Sequence, residues 1–220
     1  MRKPQLLSTR RSFFAGLAAI AVVAATPAHA DVENEARQFI DKLAQATVAV
    51  VADQSAPNDV RTERLRGLLE RGFDTEVISR FVLGRYWRDA SEAQRDRFVA
   101  LFRDYTVASY ARRFETYAGH RLETLTARDQ GGHRGQIKVL VASRLLRPSG
   151  APVKVDWRVR QTPHGWRIYD VVVEGVSMVL TQRSEFASVI QRSGGNIDGL
   201  LDQLRDRTAQ LSAASASRPS

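Results

Sequence analysis

Acid–base or nucleophilic chemistry needs histidine, cysteine or paired carboxylates held close together, and this chain supplies few of them. It has no cysteine and only four histidines. His29 falls in the N-terminal segment, while His120, His133 and His164 each stand beside a glycine in turn-like sequence, without metal-ligand spacing. No Gly-x-Ser-x-Gly nucleophile elbow, His-Glu-x-x-His pair, phosphate-cradling glycine loop or dinucleotide fingerprint occurs. Two carboxylates stand out. Asp156 alternates with Lys154 and Arg158, facing outward, as expected of a cross-strand ion-pair partner. Asp170 shares a period-two face with Ile168 and Val172 and is expected to be half-buried. A buried acid near tyrosines can move a proton, as in ketosteroid-isomerase-like enzymes. The alternative is a hydrogen-bonded acid that fixes the strand exit before Glu174 and Gly175.

Apolar surface is abundant by contrast. Val155, Trp157 and Val159 form one strand row; Val171 and Val173 with Tyr169, or Ile168 with Val172, form another. Val139 and Val141 continue the pattern on a neighbouring run. Phe81, Val82, Leu83, Tyr86 and Trp87 cluster just ahead of a stripe made by Phe98, Leu101, Phe102 and Tyr105. Tyr110, Phe114 and Tyr117 form a second stripe, turned off the first by a five-residue step, so that helix must be buried on more than one side.

These residues are positioned by helices, then strands, then helices. Ala36, Phe39, Ile40, Leu43, Ala46, Val50 and Val51 have the spacing of an amphipathic helix over 33–53. Asp59 is the expected cap of a helix to residue 71, and Asp74 of a short one ending before Gly84. Ser91 and Gln94 make a capping box that opens a long helix over 92–118. The period then becomes two: strands are expected at 122–126, 136–146, 153–160 and 166–173, joined by glycine- and proline-bearing turns. Helical spacing returns at 178–192 and 196–210, split by Gly194-Gly195, and a disordered tail is expected over 211–220. The expected fold class is α+β: a four-stranded antiparallel meander covered on its apolar face by about five to seven helices.

The N-terminus bounds the compartment. Arg2, Lys3, Arg10 and Arg11 precede an uncharged apolar run over 13–25, and Pro27-Ala28-His29-Ala30 supplies a small-x-small cleavage pattern. Residues 1–30 therefore read as a cleavable signal peptide, too short in its apolar run to span a bilayer. Ser8-Thr9-Arg10-Arg11-Ser12-Phe13-Phe14 also matches the twin-arginine export pattern. An exported chain without cysteine must rest on its own core rather than on disulfides. The net charge of +9 falls to +5 once the four basic residues of the leader are removed. Outside the cytoplasm this surplus points to acidic surfaces and not to nucleic acid.

Two blocks carry a resemblance. The first is Phe73-Asp74 with Ile78-Ser79-Arg80-Phe81-Val82-Leu83-Gly84-Arg85-Tyr86-Trp87-Arg88 and Ser91-Glu92-Ala93-Gln94-Arg95. The second is Trp166-Arg167-Ile168-Tyr169-Asp170-Val171-Val172-Val173-Glu174-Gly175-Val176-Ser177, then Arg183 and Phe186. Together they resemble the periplasmic phospholipid-binding component of the Mla lipid-asymmetry pathway, also called the toluene-tolerance auxiliary component of an ABC transporter. The resemblance spans roughly 33–205. It implies a periplasmic shuttle, a phospholipid-binding domain over 31–210, and a lipid cavity between sheet and helices with the headgroup left outside. It also implies two partners, an inner-membrane ABC transporter with an MCE-domain protein and an outer-membrane lipoprotein complex. The expected shuttle is a monomer and not an enzyme, with no cofactor and no metal, since the phospholipid is cargo.

Burying a methylene is worth about 0.8 kcal/mol, so two tails of order sixteen carbons represent roughly 25 kcal/mol of exposure to avoid in transit. Only deep enclosure prevents that loss. The candidate lining residues are Val82, Leu83, Tyr86, Trp87, Phe98, Leu101, Phe102, Tyr105, Val139, Val141, Val155, Trp157, Val159, Val171, Val173 and Met178. Arg85, Arg88 and Arg183 are candidates for meeting phosphate or partner proteins. Hopanoid-associated proteins resemble this family too, so a hopanoid is the alternative cargo. An isomerase-like enzyme using Asp170 and a structural adaptor with a collapsed core are the alternatives from other classes.

Overall fold

The computed structural model describes residues 29–53, 55–114, 119–132 and 135–216. The expected leader up to residue 28, His133 and Tyr117 lie outside the described residues. The chain runs α1 (His29–Ala52), α2 (Asn58–Gly72), α3 (Thr75–Leu83), α4 (Tyr86–Asp89) and α5 (Glu92–Phe114). The sheet follows as β1 (Arg121–Asp129), β2 (Lys138–Leu146), β3 (Val153–Thr162), β4 (Gly165–Val173) and β5 (Val176–Ser177), and α6 (Met178–Arg192) and α7 (Ile197–Ala216) close the chain. The class is α+β, and the sheet is an antiparallel meander in the order β1-β2-β3-β4-β5.

Three expectations need correction. The sheet has five strands and not four: after β4 the chain turns at Glu174 (φ 48°) and Gly175 (φ 83°), so that Val176 and Ser177 pair back onto β4. Two positive φ values in succession make a tight hairpin turn. Glu174 tolerates this because the Lys154 backbone N–H donates to its carboxylate at 2.6 Å and its own N–H donates to the Lys154 carbonyl at 3.0 Å. Asp59 does not cap α2; Pro57 holds that position without a side-chain bond, and Asp59 lies in the first turn. The last helix continues to Ala216, through residues assigned to the tail.

Other local signals are met. Asp74 accepts from the Val77 amide at 3.3 Å. Ser91 and Gln94 exchange both capping-box bonds, at 3.0 and 3.2 Å. Ser177 caps α6 by accepting from Leu180 at 3.3 Å.

Two cores form. In the helical one, Phe98, Phe102 and Phe186 pack with Val82, Leu83, Ile190, Leu201 and their neighbours on α3, α5, α6 and α7. Phe98 stacks on Phe102 at 5.7 Å, and Phe186 stands edge-on to both. In the other, Val32, Ala36 and Ile40 of α1 lie on the sheet against Val139, Val141, Val159, Trp166 and Ile168. Phe73 packs against both cores. Its strand-like bridge to Ile168, with the Asp74 amide donating to the Ile168 carbonyl at 2.8 Å, ties the helices to the edge of β4.

Candidate functional site

Residues directly opposite in an antiparallel pair point to the same face, so the register orders the sheet into cross-strand rows. On the face under α1, one row is Ala127, Val141, Trp157 and Val171. The next is Thr124, Ser143, Val155, Val173 and Val176, ending at the β5 edge, where Val176 is 54 % exposed. Three side chains of α1 fasten it to this face. Glu33 accepts from the Asp129 amide at 2.9 Å, Glu35 from the Trp166 indole at 3.4 Å, and Asp41 from the Thr124 hydroxyl at 2.8 Å.

Coverage of the inner face is uneven. Val139, Val141, Val159, Trp166 and Ile168 are buried, whereas Trp157, Val171 and Val173 are only half-buried. Trp157 is held in place by its indole N–H, which donates to the Ser143 hydroxyl at 3.0 Å; that hydroxyl donates in turn to the Val155 carbonyl at 2.7 Å. The part-buried apolar residues Phe39 and Leu43 of α1 pack against the same core. Leu43 also fills the space at Gly72, where any side chain would collide with it.

The candidate residues thus divide. Val82, Leu83, Phe98 and Phe102 are buried in the helical core, with Tyr86, Trp87, Leu101 and Tyr105 packed on it. Val139, Val141 and Val159 belong to the sheet core, with Trp157 and Val171 against it; Val155 and Val173 lie on the same inner face. Met178 begins α6, half-buried and in neither core. A cleft of about 530 Å³ opens instead between α6 and α7, with a mostly polar rim, and of the candidates it contains Tyr105 alone. Phe39, Leu43, Phe73 and Ser143 were not among the lining candidates. The helical spacing of Phe39 and Leu43 carried the signal for those two.

The carboxylates are structural. Between Ile168 and Asp170 the β3–β4 register shifts, leaving Tyr169 as an extra residue. Ile168 therefore faces inward opposite Val159, while Asp170 faces outward opposite Arg158. The expected shared face of Ile168, Asp170 and Val172 holds only for the last two. Asp170 is 2 % exposed. It accepts from Arg158 at 2.9 Å, from the Ser177 hydroxyl at 2.7 Å and from the Val179 amide at 3.3 Å. Asp170 thus joins β3, β4 and the first turn of α6, on the face opposite Trp157. Asp156 does face outward, opposite Val172, but it is buried there beside Val172 and Ser177, and its ion pair is with Lys154 on its own strand, at 3.2 Å, rather than across strands. Burial raises the Tyr169 phenol above its ordinary pKa; Arg158 opposes the shift and Asp170 adds to it. Among the described residues no group of histidines and acids could hold a metal ion.

Arg85 donates to the Tyr86 hydroxyl at 2.8 Å, which holds its guanidinium above the usual range. Arg183 lies over the Phe81 ring, 5.2 Å from its centroid, and against Gly84, whose φ of 59° and lack of a side chain leave it room.

Residues 41–206 match the family described as MlaC protein. The chain is 24 % identical over 157 residues to the intermembrane phospholipid transport system binding protein MlaC of Haemophilus influenzae, covering 70 % of this chain and 71 % of that one. It is 23 % identical over 158 residues to the toluene tolerance protein ttg2D of Pseudomonas putida, covering 71 % and 72 %. The phospholipid-binding protein of Ralstonia solanacearum, solved in complex with a phospholipid, has a similar fold. That match has a TM-score of 0.67 at 22 % identity, over 81 % of this chain and 99 % of that one. Taken with the meander, its covering helices and the apolar inner face, the match over most of the chain makes this protein a member of the MlaC family.

Proposed function

We propose that the chain is a periplasmic carrier of phospholipid. The acyl tails lie on the inner sheet face beside Trp157, Val171 and Val173, and the headgroup stays outside. The observation that supports the reading is the uneven cover of one apolar face: Val141, Ser143 and Val155 are buried, while Trp157, Val171 and Val173 are part-open toward the exposed Val176 at the β5 edge. Half-open apolar rows in a folded chain are costly unless something apolar completes them. Membership of the MlaC family and the names of the two relatives support phospholipid as that material. Movement between an outer-membrane lipoprotein complex and an inner-membrane ABC transporter with an MCE domain follows from the same kinship. The candidates of the helical core stabilise the frame and do not touch cargo.

Organic extraction of the purified protein followed by mass spectrometry tests the reading. Glycerophospholipid in amounts comparable to the protein is the expected result. A preparation free of lipid would sink the carrier reading, and a hopanoid in its place would replace the cargo.

A further inference from the structure

Most exposed apolar side chains stand singly, but one group on α3 and α6 does not. Val77 and Phe81 lie one turn apart on α3, exposed by 36 % and 39 %, and Leu180 on α6 is 54 % exposed. Arg183, one turn beyond Leu180, reaches across Gly84 to lie over Phe81, which joins the two helices into one surface. Residues 77–88 and 176–183 together carry four arginines, Arg80, Arg85, Arg88 and Arg183, and the exposed acids Glu76, Asp89 and Glu174 stand at their borders. All four are exposed, and none has a carboxylate within salt-bridge range among the described residues.

We propose that this α3–α6 surface docks the protein on an anionic lipid bilayer. Exposed aromatic and aliphatic side chains with arginines beside them are the composition of elements that lie in a membrane interface. An anionic leaflet attracts each such cation by about fivefold in affinity. Gly84 is integral to the surface. A Cβ there would stand 2.8 Å from the Arg183 Nε, so only glycine lets the guanidinium rest beside Phe81. The surface lies at the β4–β5 side of the sheet, whereas Arg121 is exposed on β1 at the far edge. Docking through α3 and α6 does not depend on what the interior holds, so a chain without cargo binds as well.

Cosedimentation of the protein, as its own cells produce it, with vesicles provides the test. Mixed phosphatidylglycerol–phosphatidylcholine vesicles are expected to bind it, with affinity falling as salt rises, and pure phosphatidylcholine vesicles to bind it far less. Arg183→Glu and Leu180→Ser each weaken binding by about tenfold, while Arg121→Glu, the same change of net charge elsewhere, weakens it less than about twofold. Thermal melts establish that each variant is folded; Leu180→Ser decides the matter if Arg183→Glu is not. No binding to the anionic vesicles would overturn the proposal and leave the surface for an acidic protein. Equal losses in Arg121→Glu and Arg183→Glu would overturn it too, since net charge alone would then account for binding.

Discussion

The two cores are built from similar side chains and differ in how they are closed. In the helical core three phenylalanines interlock between α3, α5, α6 and α7, and Phe98 is wholly buried. In the sheet core α1 seals only one end, and Trp157, Val171 and Val173 stay half-buried. A close-packed interior has no room for a fatty chain without displacing what fills it. Under the proposed function the division of labour is spatial: helices hold the fold, and the sheet offers the surface.

The sharpest way to break this contrast is to hollow out the helical core. Phe98→Ala is expected to lower stability by about 3–5 kcal/mol in denaturant titration, with lipid per folded molecule unchanged. If stability held and lipid were lost, the helical core would be the cargo site and the contrast would collapse. Asp170→Ala comes next, at about 2–3 kcal/mol, because Arg158, Ser177 and the Val179 amide lose their acceptor together. Asp170→Asn keeps part of that bonding and loses less.

Paired changes on the open wall should do the reverse. Val171→Ser with Val173→Ser is expected to cost under about 1.5 kcal/mol of stability per site and to reduce retained lipid about tenfold, read by extraction. Unchanged lipid would move the cargo off this wall.

The smallest effect is in alkali. Burial raises the Tyr169 phenol above its ordinary 10.0, so the folded chain keeps a proton that the unfolded chain gives up near that pH. Stability from this group is intact below pH 10 and falls as the pH climbs through the folded-state value. In Tyr169→Phe that part of the alkaline decline is expected to vanish from a series of thermal melts.

Much of this arrangement was legible in the residues. Ser91 with Gln94, Asp74 and Gly194-Gly195 mark helix ends by local chemistry that tertiary structure has no reason to override, and Val155, Trp157 and Val159 share one face of β3 as their alternation predicts, although the burial of Asp156 breaks the pattern of exposure. The face of Asp170 was not legible, since a register shift of one residue leaves no mark on the residue types of the strand. β5 was hidden because two residues cannot show a period, although Glu174-Gly175 held its turn. The separation of the lining candidates into two cores was invisible for another reason. Helical stripes reveal that a face is buried but not against what, and both interiors use the same residue types.

Tyr169 makes β4 a party wall. By taking up one extra position it lets the strand give Ile168 and Val171 to the inner face and Asp170 and Val172 to the other side. The loop at 148–152 can gain or lose a residue at the surface. Between Ile168 and Asp170 such a change would turn a carboxylate toward the apolar inner face, or an isoleucine toward the arginine meant for that carboxylate. The exact count of residues at that point on the strand is thus a condition of the whole partition.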